Sequence, residues 1–384
     1  MSVFVGIGMG PIQTGIFLSG AAKGKFDRIV IAEVDDKLKQ AINGSGGKVT
    51  INIAAEDRVY SETYANVEVY NPNIPAEQEK LTEAAAEGEE FATALPSVKF
   101  FAGCASWLKA GFERQPKRRR FIYTAENNNH AAEELAKAIG VEFPNTFYLN
   151  TVVGKMSGVV PVQDCAAQKL ELLCPGADRA HLVEEFNRIY ISSCPQIEER
   201  KVQNLYVKQD LYPFEEAKLY GHNAVHFLLG IMGKQRNHEF MSELRAEHDL
   251  MGIARKAFIE ESGVALCKKW GATGDELFTA DGFAAYAEDL LVRMTNPFLK
   301  DAIARITRDI PRKLSWDDRV IGTMRVILSQ GETPENFAIG AALAARELAG
   351  TKDAAVIREK LEELWPQPCG DEHKRPPELI IKAE

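Results

Sequence analysis

Short apolar runs alternate with amphipathic helical patterns through the first half of the chain. The runs with strand character are residues 3–7, 28–33, 98–102, 120–124 and 146–152. Helical periodicity appears between them at residues 12–22, 36–42, 76–87 and 131–139, and residues 57–71 alternate as a strand pair would. Because alternating strands and helices build crossover connections between parallel strands, the first half is predicted to be α/β, with a mainly parallel, doubly wound sheet.

A glycine-rich turn follows the first predicted strand. It reads Gly6-Ile7-Gly8-Met9-Gly10-Pro11, and Ile12 then begins an apolar helix. A backbone without Cβ atoms can approach a pyrophosphate closely, and a helix N-terminus offers N–H donors and a partial positive charge. Proline also suits a first helical turn. The predicted dinucleotide-binding residues here are Gly6, Gly8, Gly10, Pro11 and Ile12. The same glycines would also suit a plain strand-to-helix turn.

The second predicted strand ends with an acid, Glu33. From that position a carboxylate can accept hydrogen bonds from the ribose hydroxyls of a dinucleotide. An acid there favours a free 2′-hydroxyl and repels a 2′-phosphate, so NAD is the predicted cofactor and NADP is less favoured. Lys37 and Lys39 follow closely and leave NADP open.

The second half of the chain has a different residue pattern. From about Pro213, helical patterns follow one another without a strand pattern. A chain of 384 residues is long for one hydrophobic core, so two domains are expected. We predict a Rossmann-type NAD(P)-binding domain at residues 1–200 and a mainly α-helical substrate and catalytic domain at residues 201–384. The proline-rich tail at residues 366–384 is predicted to be an extended or frayed end.

The composition is that of an ordinary soluble globular protein, with 45% hydrophobic and 26% charged residues. The net charge of −9 disfavours nucleic acid or an anionic membrane as a partner. Six cysteines without a CxxC pair indicate reduced thiols, and the N-terminus shows neither a signal peptide nor a membrane span. These features predict a cytoplasmic protein with a small-molecule substrate. A monomer and a homodimer both stay open.

One predicted helix of the second half carries an unusual set of polar groups. Lys218, Asn223 and His226 place an amine, an amide and an imidazole in an otherwise apolar segment. An unpaired buried polar group costs roughly 1–3 kcal/mol, so such a cluster indicates a site that meets a ligand. At about 100° per residue, Asn223 and His226 lie about 140° and 80° from Lys218, on one arc. Taken singly, such a lysine is usually a surface group and such a histidine a core residue.

The spacing of these three residues resembles that of a known family. Four segments occur in the order found in the polyol-specific long-chain dehydrogenases. Along the chain they are Glu126-Asn127-Asn128, the K-x4-N-x2-H pattern of Lys218, Asn223 and His226, Asn296-Pro297-Phe298-Leu299-Lys300-Asp301, and residues 312–319. The resemblance extends over nearly the whole chain. It implies a zinc-independent oxidoreductase with a Rossmann-type N-terminal domain and a helical C-terminal domain. Its substrate would be a polyol or polyol phosphate, oxidised to the ketose by hydride transfer to NAD.

The resemblance also implies roles for individual residues. Oxidising an alcohol requires a base for the hydroxyl proton and donors for the developing alkoxide. Lys218 would be the base, because the pKa of an amine in an apolar setting can fall toward the working pH. Asn223 and His226 would be the donors to the reacting oxygen. Further contacts with the substrate are implied for Asn127, Arg293 and Asn296, and Asn127 would also suit the cofactor.

Three alternatives stay open. After the last predicted strand the chain reads Val152-Val153-Gly154-Lys155-Met156, where the family often has an Asp-Arg pair. A sugar acid held by Lys155 or Arg293 would suit that departure. The second alternative is a catalytically idle nucleotide-sensing protein with the same fold. In the third, His222 and His226 chelate zinc from one helical face. No metal is expected, because the sequence offers no evident third ligand.

Overall fold

The chain folds into two compact units, Met1–Leu211 and Tyr212–Glu384. The structure is a computed structural model that describes residues 1–365 and 375–383. The boundary lies at residue 211 rather than at the predicted residue 200. The reason is one further strand, Leu205–Lys208, which pairs with the main sheet of the first unit.

The first unit is built on an eight-stranded sheet. The strands of the unit, in chain order, are β1 (Val3–Ile7), β2 (Arg28–Ala32), β3 (Val49–Ala54), β4 (Val59–Tyr64), β5 (Val67–Tyr70), β6 (Gly88–Thr93), β7 (Arg120–Thr124), β8 (Thr146–Val152), β9 (Ser157–Pro161), β10 (Arg179–Glu184), β11 (Ile189–Ser192) and β12 (Leu205–Lys208). The order across the main sheet is β12-β11-β8-β7-β6-β1-β2-β5. Neighbours from β5 to β8 run parallel, and β11 is antiparallel to β8.

The strand order is that of a doubly wound sheet. β1 pairs with β2 on one side and with β6 on the other, so the direction of winding reverses at β1. Ligands of such sheets bind beyond the carboxyl ends of the strands at this switch point. The predicted fold, a Rossmann-type sheet followed by a helical region, is confirmed. The glycine-rich turn after β1 therefore lies where a dinucleotide-binding turn belongs.

One predicted strand is wrong. Residues 98–102 form a 3₁₀ turn, Val98–Phe101, that leads into the helix Ala102–Arg114. The Ser97 hydroxyl caps the turn by accepting the N–H of Lys99. Phe100 stays 57% exposed, so the apolar run does not mark a buried strand.

One of the strands that the sequence did not reveal is β6. Its Glu89-Glu90 pair interrupts the apolar pattern. Glu90 is nevertheless buried, and it accepts hydrogen bonds from the Tyr123 hydroxyl (2.7 Å) and the N–H of Val202 (3.3 Å). Burial raises the pKa of Glu90 despite these donors. The sheet tolerates this acid because its oxygens have partners.

A second sheet of the first unit has the order β4-β3-β10-β9. Its strands come from two separate parts of the chain, and β3 and β10 run parallel. Residues 57–71 are therefore not a strand pair. β4 pairs with β3 in this sheet, whereas β5 pairs with β2 in the main sheet.

Strand β10 packs against the first helix, which begins as the π-helix Gln13–Leu18 and continues as the α-helix Ser19–Lys23. A Cβ at Gly15 would lie 2.7 Å from Val183 Cγ1, so β10 leaves no room for a side chain there. Thr14 Oγ1 lies 2.9 Å from His181 Nδ1. Burial and the charge of Arg179 lower the pKa of His181 to about 3, so the ring makes this contact uncharged.

Helices cover the main sheet, and their apolar side chains form two clusters. One surrounds Phe17 and Tyr123, and the other surrounds Trp107 and Phe112. Burial of each such side chain stabilises the fold by roughly 1.5–3 kcal/mol. The remaining α-helices of the first unit are Asp36–Gly44, Pro75–Glu87, Ala131–Ile139 and Val162–Gln168.

Among the described residues of the second unit, the regular structure is helical, apart from an isolated bridge between Phe240 and Ala302. The α-helices are Tyr212–Glu216, Ala224–Gln235, His248–Lys256, Val264–Trp270, Ala280–Met294, Ile303–Thr307, Ile310–Lys313, Ile321–Ser329, Glu335–Ala349, Ala354–Leu364 and Arg375–Lys382. Two π-helices, Ala217–Asn223 and Ala257–Gly263, join them into the continuous helices 212–235 and 248–270. Within the described residues, no helix has the length and apolarity needed to span a bilayer.

The tail departs from its prediction in part. Residues Arg375–Lys382 form a helix and bury Ile380 rather than being extended. The preceding stretch, residues 366–374, lies outside the described residues, and Cys369 with it.

Candidate active site

The turn after β1 leaves a bare backbone at two glycines. Gly8 has φ +88°, and a Cβ there would lie 2.9 Å from the carbonyl oxygen of Ala94. A Cβ at Gly10 would meet nothing within 4 Å, so this glycine faces open space. The N–H of Thr14 donates to the Gly10 carbonyl (3.0 Å) as the helix begins. Pro11 and Ile12 lie between Gly10 and Thr14, at the start of the helix. Because the backbone at Gly10 is uncovered, there is room for a pyrophosphate to contact this turn.

Gly6 has a different place, inside β1, where it pairs with Ile31 and Ala92. A Cβ at Gly6 would lie 2.0 Å from Gln13 Nε2, so this glycine makes room for the side chain of Gln13. The fingerprint G-x-G-x-x-G then begins at Gly8, and Gln13 holds its third position. That position normally needs glycine for close packing of helix on strand. Here the strand supplies the glycine instead.

Acidic side chains lie at and just after the end of β2. Glu33 Oε1 accepts the N–H of Asp35 (2.8 Å), which fixes its carboxylate at the strand end. Lys39 is buried and bound to Asp36 (2.6 Å) and Glu77 (2.8 Å). Its ammonium is therefore already neutralised by two carboxylates. Glu33 offers hydrogen-bond acceptors at this strand end.

The loops after β6 and β7 are tied together by a buried acid. Glu126 accepts hydrogen bonds from the Thr93 hydroxyl (2.8 Å) and from the N–H of Leu95 (2.8 Å). Burial raises the pKa of Glu126 despite these donors. Asn127 follows and is exposed beyond the carboxyl end of β7. The structuring role of Glu126 was not predicted, although the residue lies in the segment that carried the resemblance.

The polar helix of the second unit is not a regular α-helix. Residues Ala217–Asn223 form a π-helix, whose hydrogen bonds run from residue i to residue i+5. Lys218 and Asn223 are five residues apart, so the π turn places Asn223 one turn after Lys218. His226 follows Asn223 by three residues in the α-helix Ala224–Gln235, which keeps it on the same side. The predicted 140° separation assumed α-helical geometry and is wrong.

Neighbouring helices stabilise the π turn. The Tyr220 carbonyl accepts hydrogen bonds from the hydroxyls of Ser262 (2.9 Å) and Thr323 (3.4 Å). A Cβ at Gly221 would lie 2.9 Å from the ring of Phe258, so glycine allows the close approach of the second π-helix. A π turn is a rare geometry that recurs at functional sites, and here its backbone has outside partners.

Lys218 is a suitable proton acceptor. Its side chain is partly buried, and burial lowers the pKa of the amine to about 8, with a further contribution from the positive charge of Arg319. Near neutral pH, both the ammonium and the neutral amine are then populated. An arginine in this place would stay charged.

His222 and His226 lie on one face of the helix, with ring centroids 6.0 Å apart. Burial is the main cause that holds the pKa of His222 well below its usual value. His226 Nε2 lies 3.1 Å from Asp301 Oδ2, an ionic approach rather than an aligned hydrogen bond. Among the described residues, no three His, Cys, Asp or Glu side chains are grouped as metal ligands.

Arg293 and Asn296 lie at the end of the helix Ala280–Met294. Arg293 Nη1 contacts Asp289 Oδ2 (2.9 Å), one turn earlier. Asn296 is buried, and its Oδ1 accepts the N–H of Phe298 (2.9 Å), which shapes the turn at the Asn-Pro segment. Both residues make further interactions.

Lys155, the candidate clamp for a sugar acid, is held within the first unit. Its Nζ donates to the backbone carbonyls of Glu184 (2.5 Å) and Phe186 (2.6 Å). Only 8% of the residue is exposed. Two of the three ammonium protons of Lys155 are therefore used in hydrogen bonds to the backbone of the first unit.

Comparison with known proteins assigns the second unit. The model of the mannitol dehydrogenase C-terminal domain matches residues 210–375. Residues 210–375 are therefore similar to the C-terminal domain of mannitol dehydrogenases. The resemblance to the polyol-specific long-chain dehydrogenases that the sequence indicated is thereby confirmed.

Similarity to individual proteins extends over both units. Over 300 residues the chain is 28% identical to mannitol-1-phosphate 5-dehydrogenase of Caldanaerobacter subterraneus subsp. tengcongensis, covering 75% of this chain and 73% of that protein. The fold is similar to that of D-sorbitol dehydrogenase in its substrate-free form, with a TM-score of 0.69 and 14% identity over 90% of this chain and 80% of that one. It is also similar to mannitol 2-dehydrogenase of Pseudomonas fluorescens in a ternary complex with NAD and D-mannitol. There the TM-score is 0.68, with 14% identity over 99% of this chain and 90% of that one.

Proposed function

We propose that the protein is an NAD-dependent polyol dehydrogenase that interconverts a secondary alcohol of a polyol or polyol phosphate and the corresponding ketose. The predicted class, an oxidoreductase of the mannitol dehydrogenase family, is confirmed by the family match and the mannitol-1-phosphate 5-dehydrogenase relative. The observation that carries the chemical proposal is the π turn that brings the low-pKa amine of Lys218 and the amide of Asn223 onto one side of a helix of this family's domain.

The residues of this helix suffice for the proton chemistry. In alcohol oxidation, the neutral amine of Lys218 takes the hydroxyl proton while the N–H of the Asn223 amide donates to the developing alkoxide. In the reverse direction, the Lys218 ammonium returns the proton to the carbonyl oxygen. A bound NAD supplies the hydride acceptor. Arg293 and Asn296 are proposed to bind the remaining hydroxyl or phosphate groups of the substrate.

The proposed cofactor is NAD rather than NADP. Gly8 and Gly10 would receive the pyrophosphate at the start of the first helix, and Glu33 would accept the ribose hydroxyls. Lys39 is bound to two acids, which supports this preference. Asn127, exposed after β7, is proposed as a further contact of the cofactor or the substrate. The cytoplasmic location stays a prediction, as do the oligomeric state and the absence of nucleic-acid and membrane partners.

A substrate panel tests the proposal. Polyols, polyol phosphates and aldonates are assayed with NAD and with NADP by absorbance of the reduced nicotinamide. Lys218→Met should lower the rate on the active substrate by about 10²-fold or more, as expected for loss of a general base. Lys360→Met, at an exposed lysine of the same unit, is the matched control.

The outcomes separate the alternatives. Turnover of an aldonate alone would favour the sugar acid, although the engagement of Lys155 by two carbonyls argues against it as a clamp. An enhancement of NADH fluorescence on binding, without turnover of any substrate, would favour a nucleotide sensor. Retention of more than about a tenth of the activity by Lys218→Met would contradict the assignment of the base.

A further inference from the structure

Asp301 is a buried acid that faces the imidazole of His226. The Asp301 side chain is 7% exposed and that of His226 is 11% exposed, and Oδ2 lies 3.1 Å from Nε2. Among the described residues, neither of these two atoms has an aligned hydrogen-bond partner, so the contact between them is an ionic approach. A ring lone pair facing a buried carboxylate oxygen at this distance is disfavoured, so the approach favours a ring that carries a proton on Nε2.

The other oxygen of this carboxylate is held by Arg305. Arg305 Nε and Nη2 donate to Asp301 Oδ1 at 2.9 and 2.6 Å. Burial by itself would raise the pKa of Asp301, but the contacts with His226 and Arg305 bring it below its usual value. The backbone is fixed as well, because the N–H of Met241 donates to the Asp301 carbonyl (2.9 Å). The acid is therefore charged, and it is held from both sides.

This arrangement decides which nitrogen of the ring is left for a ligand. A carboxylate can only accept, so Asp301 favours the tautomer of His226 with its proton on Nε2. Nδ1 is then an acceptor in the neutral ring. We propose, on the basis of the function proposed above, that Asp301 is a positioning residue that fixes this tautomer, so that His226 accepts a hydrogen bond from a substrate hydroxyl through Nδ1.

The proposal changes the role expected for His226. The sequence indicated a donor to the reacting oxygen alongside Asn223. With its proton directed to Asp301, the neutral ring has no proton left to donate to an alkoxide. It recognises a hydroxyl instead, and Asn223 remains the donor. The nearby His222 is neutral because burial depresses its pKa, so it does not supply a competing positive charge.

Nitrogen-15 NMR of the histidine rings tests the tautomer directly, without turnover. The chain has seven histidines, so a sample labelled at histidine gives a tractable spectrum, and His226→Gln identifies the signals of His226. In the wild-type protein, the neutral ring of His226 should carry its proton on Nε2. In Asp301→Asn the side-chain amide can donate to Nε2, and the proton should move to Nδ1. Asp353→Asn is the control, because asparagine also caps the helix that Asp353 begins.

Kinetics give the second measurement. On the substrate found by the panel, Asp301→Asn should lower kcat at least about tenfold with little change in KM for NAD, because a wrong tautomer leaves the fold intact. Arg305→Gln should give a smaller loss in the same direction. A wild-type ring with its proton on Nδ1 would overturn the proposal even if Asp301→Asn failed to fold. If the tautomer is as proposed and no polyol is turned over, only the proposed function fails.

Discussion

The ionisation of Lys218 should set the pH dependence of alcohol oxidation. Burial and the charge of Arg319 lower the pKa of this amine to about 8. About a tenth of the molecules would then hold the neutral amine at pH 7, and about nine tenths at pH 9. Because only the neutral amine can take a proton, kcat/KM for oxidation should rise about tenfold per pH unit below pH 8 and level off above it. Ketose reduction needs the ammonium, so its rate should fall over the same range.

Substitution of Arg319 tests the physical cause of this pKa. Arg319→Gln removes a like charge, so the midpoint of the oxidation profile should move to higher pH, toward the ordinary lysine value of 10.5. Arg325→Gln removes an arginine that pairs with Asp317 and should leave the midpoint unchanged. Initial rates of NADH formation between about pH 6 and pH 10 measure both midpoints. A wild-type midpoint near the usual histidine value, or no movement in Arg319→Gln, would refute the reasoning.

Three further substitutions probe the glycine turn, the cofactor preference and the π turn. Gly15→Ala should lower the free energy of unfolding by about 1–3 kcal/mol, because its Cβ meets Val183, and thermal unfolding measures the loss. Glu33→Ala should lower the ratio of kcat/KM for NAD to that for NADP by about tenfold or more, and an unchanged ratio would exclude the ribose contact. Ser262→Ala removes a donor to the π turn. It should lower kcat while costing only about 0.5–1.5 kcal/mol of stability in chemical denaturation, with the exposed Ser329→Ala as control.

The strand pattern predicted three strands of the first unit, in each of which apolar residues predominate. β1, β7 and β8 lie at the predicted residues 3–7, 120–124 and 146–152. β6 was missed because two acids interrupt it, and the partners that allow Glu90 inside the sheet include the N–H of Val202, which is 112 residues away. A local pattern cannot show a partner at that distance, so burial of such an acid is visible only in the fold.

The sequence likewise predicted only part of the candidate site. Spacing and resemblance predicted the chemistry of Lys218, Asn223 and His226, and the structure places all three on the helix 212–235. Asp301 lay in a segment that carried the resemblance, yet nothing in the sequence connects it with His226, 75 residues earlier in the chain. That pairing depends on the bridge between Phe240 and Ala302, which brings the Asn-Pro segment back to the end of the polar helix.

The five-residue spacing of Lys218 and Asn223 did contain a signal for the π turn. In an α-helix, two side chains five residues apart diverge by about 140°, so they cannot serve one small substrate group together. A sequence that needs both residues at one site must therefore depart from α-helical geometry between them. The departure frees backbone carbonyls, and the Tyr220 carbonyl finds its donors in Ser262 and Thr323. Because Ser262 itself lies in the second π-helix, the geometry of the proposed base is set by the packing of two π-helices. Residues far from the substrate should then influence proton transfer through that packing.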